Sequence, residues 1–373
     1  MIKVLVVFGT RPEAIKMAPL IREFNRFPEE FETRVCVTAQ HREMLDQVLS
    51  FFEIIPFYDL DLMKPNQNLN QLTADVLIGL RSVFLDYLPD YVFVHGDTTT
   101  SMAASLASFY SEVKVCHVEA GLRTFNKRSP FPEEINRQIT GRIADIHFAP
   151  TEISKANLIR EGIKDSTIFT VGNTVIDALM WANIKLENYE DDEIRGLKEL
   201  LVSTKRVIVV TGHRRENFGD GFLNICKALS LISQRDDVQI IYPVHLNPQV
   251  QKPVYDILGD SANIHLISPL KYPAFVWLMS QSYIILTDSG GVQEEAPSLG
   301  KPVLVMRNNT ERPEAVIAGT VVLVGTNTDA IFLETERLLN DEDLYKKRST
   351  LHNPYGDGYS AALIVDKIKS YAQ

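Results

Sequence analysis

The stretch from Tyr91 to Arg123, YVFVHGDTTTSMAASLASFYSEVKVCHVEAGLR, decides the fold. Tyr91 to His95 and Val113 to Val118 are short apolar runs rich in β-branched residues, and Ser101 to Tyr110 between them has helical spacing. A strand, a helix and a second strand of this length make a βαβ unit, whose strands lie parallel and about 4.8 Å apart if they are neighbours. Each strand ends on a histidine, one residue and then a carboxylate: His95 to Asp97, and His117 to Glu119.

The same rhythm extends in both directions. Val4 to Phe8, Arg34 to Thr38, Ile146 to Ala149 and Ile168 to Val171 complete a first set of strands, with Glu13 to Arg26 as an intervening helix. Lys185 to Lys205, charged and poor in apolar residues, interrupts the pattern as solvated helix and connector. The alternation restarts with Arg206 to Thr211, Val238 to Val244, Ile264 to Ile267, Tyr283 to Thr287, Val303 to Met306 and Val321 to Val324. The expected architecture is α/β, with two Rossmann-like, doubly wound parallel-sheet domains facing a cleft. Residues 1–172 form the first domain and 173–359 the second, and a helix over 360–373 returns to the first.

Composition agrees with two globular domains in 373 residues. Acidic side chains number 48 against 38 basic ones, a net charge of −10 that repels nucleic acid and anionic membranes. A phosphate-bearing ligand must then be captured by local positive features. Cys36, Cys116 and Cys226 are scattered, without metal-binding or disulfide spacing, and read as buried thiols in a reducing compartment. The chain starts directly on an apolar strand, Ile2 to Phe8, and holds no stretch long enough to span a bilayer, so a cytoplasmic location is expected.

In open parallel sheets ligands bind beyond the carboxyl ends of the strands. Gly9-Thr10-Arg11-Pro12-Glu13 follows the first strand, with Lys16 a turn further on. Glycine permits close backbone approach, Pro12 presets a helical turn, and free amides beside Arg11 and Lys16 suit an anion. A tight turn with two solvated cations would account for the same residues. Asp97 and Glu119 meet at the rim of neighbouring strands, where paired carboxylates push each other's proton affinities apart and so divide into base and acid. A helix N-cap would also explain Asp97. His95 and His117 share the strand faces of these carboxylates, which fits a metal site or, more commonly, imidazoles bonded to backbone. Glu133 and Glu134 open a helix, a place the helix dipole favours for acidic residues whatever their role.

In the second half, Gly212-His213-Arg214-Arg215-Glu216-Asn217 occupies the corresponding first loop. Asp288-Ser289-Gly290-Gly291 leads through Val292 and Gln293 to Glu294 and Glu295, offering bare amides to a diphosphate and a carboxylate to ribose hydroxyls. Arg312, before Pro313, adds a cation at another helix start.

Taken in order, Phe8-Gly9-Thr10-Arg11-Pro12-Glu13, His95-Gly96-Asp97, His117-Val118-Glu119-Ala120-Gly121, Gly212-His213-Arg214-Arg215-Glu216-Asn217 and Asp288-Ser289-Gly290-Gly291 resemble the non-hydrolysing UDP-N-acetylglucosamine 2-epimerases. The likeness extends over nearly the whole chain. It implies a glycosyltransferase-B-like fold, a homodimer, interconversion of UDP-N-acetylglucosamine with UDP-N-acetylmannosamine for surface polysaccharide synthesis, and neither nicotinamide nor a required metal. Carried over by position, it puts Asp97, Glu119 and Glu133 among the acids and bases and His213 beside the diphosphate. Arg11, Lys16, Phe275, Ser289, Gly290, Gly291, Glu295 and Arg312 match its UDP-sugar-binding positions. Leu270 stands where many relatives carry Gln near the uracil. Glu43, close to Gln40, departs from relatives that are activated by a second substrate molecule.

The implied chemistry sets its own demands. The C2 proton of the sugar is not acidic, because no carbonyl conjugates with the carbanion its loss would leave. Departure of UDP from C1 makes that proton removable and gives 2-acetamidoglucal; return of UDP with protonation on the opposite face completes the inversion. The leaving diphosphate requires preorganised positive charge. Both faces of C2 require a proton-transferring group.

Overall fold

The structure, a computed structural model, describes residues 1–38, 42–62, 64 and 67–371. It divides into two compact units, Met1–Ala178 together with the segment from Tyr355 onward, and Leu179–Pro354.

The first unit holds strands β1 (Ile2–Phe8), β2 (Phe31–Val37), β3 (Tyr58–Asp59), β4 (Tyr91–His95), β5 (Lys114–Val118), β6 (Ile146–Ala149) and β7 (Ile168–Thr170). They form one seven-stranded sheet in the order β3-β2-β1-β4-β5-β6-β7, and every pairing is parallel. Helices α1 (Arg11–Asn25), α2 (Arg42–Phe52), α3 (Leu69–Tyr87), α4 (Thr99–Tyr110), α5 (Glu133–Ile143) and α6 (Glu152–Arg160) connect them, and α7 (Thr174–Lys185) leads out of the unit. Both faces of the sheet are covered, which is why β1 and β4 are apolar almost throughout rather than alternating. Leu5, Val7, Val92 and Val94 pack with Val76, Leu80 and Phe84 of α3 and Ala103 and Ala104 of α4. Phe93 lies edge-on to Phe24 of α1, ring centroids 5.2 Å apart.

The second unit holds helix α8 (Asp192–Leu200) and strands β8 (Arg206–Thr211), β9 (Val238–Pro243), β10 (Ile264–Ile267), β11 (Ile284–Thr287), β12 (Val303–Val305) and β13 (Val321–Leu323). Its six parallel strands run in the order β10-β9-β8-β11-β12-β13. The remaining helices are α9 (Asp220–Ile232), α10 (Pro248–Leu258), α11 (Tyr272–Gln281), α12 (Gly290–Glu295), α13 (Pro313–Ala318), α14 (Thr328–Asn340) and α15 (Glu342–Ser349). Ile208, Val210, Ile240, Leu286 and Leu304 pack there with Phe222, Leu229 and Val250. The closing helix α16 (Ser360–Tyr371) belongs to the first unit, where its Ala361 amide donates to Asp177 of α7 at 2.8 Å.

Both sheets reverse strand order once, between β1 and β4 and between β8 and β11. Such a switch point opens a crevice at the carboxyl ends, because the flanking connections leave to opposite faces. The loops after β1 and β4 and after β8 and β11 carry Arg11, Asp97, His213 and Ser289 to Gly291, whereas Glu119 follows β5, Glu133 opens α5 and Arg312 follows β12.

The turn after β5 is tightly constrained. Glu119 takes a left-handed φ of 59° and Gly121 a φ of 94°. A Cβ on Gly121 would stand 2.2 Å from the Ser154 carbonyl oxygen, closer than any side chain can approach. Gly121→Ala is therefore expected to destabilise the first unit by about 3 kcal/mol or more. Thermal unfolding followed by circular dichroism checks this; a melting point within a degree of the parent contradicts it.

Candidate active site

In the first unit the loop after β1 is organised from within. Thr10 caps α1, Pro12 sits in the first turn, and Glu13 closes a capping box. Glu13 is buried, 1% exposed. Its Oε2 accepts from the Gly9 amide at 3.1 Å and the Thr10 amide at 2.8 Å, while Oε1 accepts from Thr98 Oγ1 at 2.6 Å and Ser101 Oγ at 3.0 Å. Burial pushes the Glu13 carboxyl above its ordinary range, opposed by the bonds from Thr98, Gly9, Thr10 and Ser101. The expectation of free amides here is corrected: the anion at Gly9 and Thr10 is the chain's own Glu13, which ties the β1 loop to the β4 loop.

The two strand-end carboxylates each have a cation. Asp97 pairs with Arg137 of α5, and its carbonyl accepts from Asn136 Nδ2 at 3.0 Å. The N-cap of α4 is Thr98, whose Oγ1 accepts from the Ser101 amide at 3.0 Å, so capping does not account for Asp97. Glu119 pairs with Lys16 and accepts from Asn173 Nδ2 at 2.8 Å. Lys16 is thus not a solvated cation.

Glu133 opens α5, one turn before Arg137, and its Oε2 is buried without a hydrogen-bond partner. Glu134 beside it is structural: it accepts the Thr124 and Phe125 amides at 3.0 Å each and folds that loop against α5. His117 Nε2 lies 2.8 Å from the Gly96 carbonyl and His147 Nε2 2.8 Å from that of Gly141. Burial holds His117 neutral, its pKa lowered to about 3. Of the two strand-end histidines His117 is thus an interior imidazole bonded to backbone, whereas His95 Nε2 is buried without a partner; among the described residues no group of His, Cys, Asp and Glu forms a metal cluster.

The second unit repeats the device of a buried carboxylate gathering the first loop. Asp288, fully buried at the end of β11, accepts from the His213 amide at 2.9 and 3.1 Å, the Arg214 amide at 2.9 Å and Asn217 Nδ2 at 3.1 Å. His213 Nδ1 lies 3.4 Å from Asp288 Oδ1. Burial lowers the pKa of His213, and Asp288 opposes that. The positive groups converge on Gly290: a Cβ there would meet Arg214 Nη2 at 3.5 Å and Arg312 Nη2 at 3.7 Å. Gly290 and Gly291 begin α12, where no preceding turn supplies carbonyls for their amides. Glu295 faces Gly291, its Oε2 3.8 Å from where a Cβ would be, and Arg312 is held by Glu294. Ser289, Gly290, Gly291, Glu295, Arg312 and Arg214 therefore form one polar patch beside the His213 loop, while Phe275 lies on α11 and Leu270 just after β10.

The sequence profile of the UDP-N-acetylglucosamine 2-epimerase family matches residues 23–369. The chain is 57% identical over 372 residues to the UDP-N-acetylglucosamine 2-epimerase of Salmonella typhimurium, covering 99% of each. It is 56% identical over 371 residues to that of Escherichia coli K12, covering 99% of this chain and 98% of that one. The chain belongs to the UDP-N-acetylglucosamine 2-epimerase family. It is an isomerase.

Among solved structures, the Neisseria meningitidis UDP-GlcNAc 2-epimerase bound to UDP-GlcNAc matches with a TM-score of 0.90 and 51% identity, covering 99% of this chain and 100% of that one. The Methanocaldococcus jannaschii epimerase in complex with UDP-GlcNAc and UDP matches with a TM-score of 0.80 and 35% identity, covering 99% and 100%. The sequence reading singled out the strand-end carboxylates and the Ser-Gly-Gly loop, and it did not reach Asn136, Arg137 and Asn173, which bond those carboxylate residues, nor the anchoring roles of Glu13 and Asp288. Gln40 lies outside the described residues, as does the side chain of Glu43.

Proposed function

We propose that this chain interconverts UDP-N-acetylglucosamine and UDP-N-acetylmannosamine by eliminating UDP to 2-acetamidoglucal and adding it back with inversion at C2. The observation that carries the reading is the pair Asp97 and Glu119, ending adjacent parallel strands, each held in place by its own cation. The first unit supplies the acid and base groups, with Glu133 a third carboxylate, and Arg11 and Lys16 add positive charge. The second supplies the diphosphate field: His213, Arg214, Arg312, the Ser289 hydroxyl and the amides of Gly290 and Gly291, the Ser289 amide itself being taken by Thr287 Oγ1 at 2.9 Å, with Glu295 suited to ribose hydroxyls and Phe275 to the nucleotide. Leu270 leaves recognition of the uracil to backbone groups, and Glu43 argues against activation by a second substrate molecule.

The step balances without a redox partner. The C1–O bond breaks with its electrons leaving on UDP, the C2–H proton passes to a carboxylate, and a C1–C2 double bond forms. Re-addition runs the same bonds in reverse with the proton delivered to the other face. The product would supply activated N-acetylmannosamine for surface polysaccharide, in the cytoplasm, where the three buried free thiols fit a reducing milieu. Among the described residues no helix is long and apolar enough to cross a membrane.

A homodimer completes the proposal. On α3, Ile78 and Leu85 stand seven residues apart on one face, 73% and 69% exposed, and Phe109 and Tyr110 at the end of α4 are 64% and 70% exposed. Apolar side chains on two adjoining helices suit a self-complementary interface.

Incubation with UDP-N-acetylglucosamine in deuterium oxide tests the reaction. Deuterium is expected at C2 of both UDP-sugars in proton NMR. Retention of the C2 proton with no new UDP-sugar overturns the reading, and release of free sugar replaces it with a hydrolytic one.

A further inference from the structure

Three donors crowd a single oxygen of Glu119. Lys16 Nζ and Asn173 Nδ2 both bond Oε2, and His95 Nε2 stands 3.7 Å from the same atom. A carboxylate oxygen accepts about two such bonds, so the third donor is left waiting at a distance just too long for a hydrogen bond. His95 is fixed there. It ends β4 in register with Val118, it is 4% exposed, its carbonyl accepts from Ser101 Oγ, and its Nε2 is buried without a partner. Gly96 then turns the chain with a left-handed φ of 62°.

The three donors differ in charge and mobility. Lys16 is a point charge on a flexible stem, the kind of group a diphosphate draws to itself. Asn173 is neutral. His95 is neutral as well, burial lowering its pKa to about 4 against the opposing attraction of Glu119, with Lys16 adding to the lowering.

We infer that His95 is a positioning residue: when the substrate's diphosphate draws Lys16 away, His95 Nε2–H closes on Glu119 Oε2 and holds that carboxylate in place without neutralising it. This rests on the reading above that Glu119 exchanges a proton with C2. Its consequence is that leaving-group capture and base strength are coupled. While Lys16 pairs with Glu119, the carboxylate is a weak base; with Lys16 on the diphosphate it keeps the neutral donors Asn173 and His95, its position and its full charge. Lys16 and Glu119 are the charged groups that bear on His95, with His117 a neutral neighbour.

Three variants test this in the full-length protein: His95→Leu, which removes the donor, His95→Gln, whose amide nitrogen reaches the Nε2 position, and Glu119→Gln. His95→Leu is expected to lower kcat by about 10- to 100-fold, with KM and UDP affinity within twofold of the parent. The acid limb of kcat, which reports the substrate-bound protein, moves to higher pH, because a carboxylate with one donor fewer binds its proton more tightly. His95→Gln is expected to recover most of kcat and the parent acid limb.

An unchanged kcat and acid limb in His95→Leu overturn the inference, as does a His95→Gln variant no better than the leucine one. If the leucine variant does not fold, the parent protein labelled with ¹⁵N-histidine and saturated with UDP gives the answer, its His95 signal assigned through His95→Gln. A neutral Nε2–H tautomer is expected, and an Nδ1–H tautomer overturns the inference. Glu119→Gln separates the two claims. Loss of C2 deuterium exchange there beside a normal His95→Leu removes the role of His95 alone, whereas retained exchange in Glu119→Gln removes the proposed role of Glu119 first.

Discussion

Asp97→Asn is expected to lower kcat about a thousandfold while UDP affinity stays within twofold and the fold survives. The amide keeps the size and shape of the side chain and leaves the bond from Asn136 to the residue 97 carbonyl intact. What it removes is the ability to take or give a proton, a contribution of about 10²- to 10⁴-fold for a positioned acid or base. Arg137 is not stranded, because Glu134 Oε2 lies 3.3 Å from its Nη1 and stays as a counter-charge. The cost to stability is therefore small, about 1 kcal/mol, as for a pair with partial access to water. The decisive readout is the division of the effect. A fall in kcat with unchanged KM marks an interaction made in the transition state, whereas a rise in KM alone reduces Asp97 to a residue that places Arg137. Deuterium exchange at C2 should fall in parallel with turnover.

That Asp97 and Glu119 could be singled out before any coordinates follows from how parallel sheets are built. A strand of four apolar residues and a histidine, running on into Gly-Asp, carries its carboxylate to the sheet's rim by its length alone, and the neighbouring strand does the same for Glu119. The strands were legible because a sheet covered on both faces needs unbroken apolar runs, and β1, β4, β8 and β11 have them. β3 was not, since Tyr58 and Asp59 are too few to make a run. α8 was legible only as a solvated helix without bounds inside a charged stretch, because only Ile194 and Leu197 of its nine residues are buried.

The residues missed at the site share a different cause. Their partners lie far off in sequence: Asn173 bonds a carboxylate 54 positions away, Arg137 one 40 positions away, and Glu13 reaches Thr98 across 85. Local pattern carries no trace of such pairings. Glu13 nonetheless left a signal, for Thr10-Arg11-Pro12-Glu13 spells a capping box, and a capping glutamate turned inward occupies amides that would otherwise await an anion. Asp288 left none, because a carboxylate followed by Ser-Gly-Gly reads as part of the ligand loop rather than as the anchor of another loop 75 positions earlier.

That anchor makes the second strong prediction. Asp288→Ala is expected to destabilise the second unit by about 3–5 kcal/mol and to raise the dissociation constant for UDP at least about tenfold, some 1.4 kcal/mol. With the carboxylate gone, the part-buried amides of His213 and Arg214 lose their fully buried acceptor. Each stranded donor costs about 1–3 kcal/mol, and Asn217 keeps only its bond to the Met306 carbonyl at 3.1 Å. The loop that presents His213 and Arg214 then has nothing to define it. Asp288→Asn separates shape from charge. One oxygen remains to accept, so the loss of stability is smaller, but the charge that opposes the lowering of the His213 pKa is gone. His213 therefore protonates only at lower pH than in the parent. The part of UDP affinity that depends on a cationic imidazole, present below that pKa and lost as pH rises through it, shifts to more acidic pH. Calorimetric titration of UDP across pH, beside thermal melts of both variants, reads the two effects separately. An alanine variant with parent stability and parent affinity would show that the β8 loop holds its shape without Asp288.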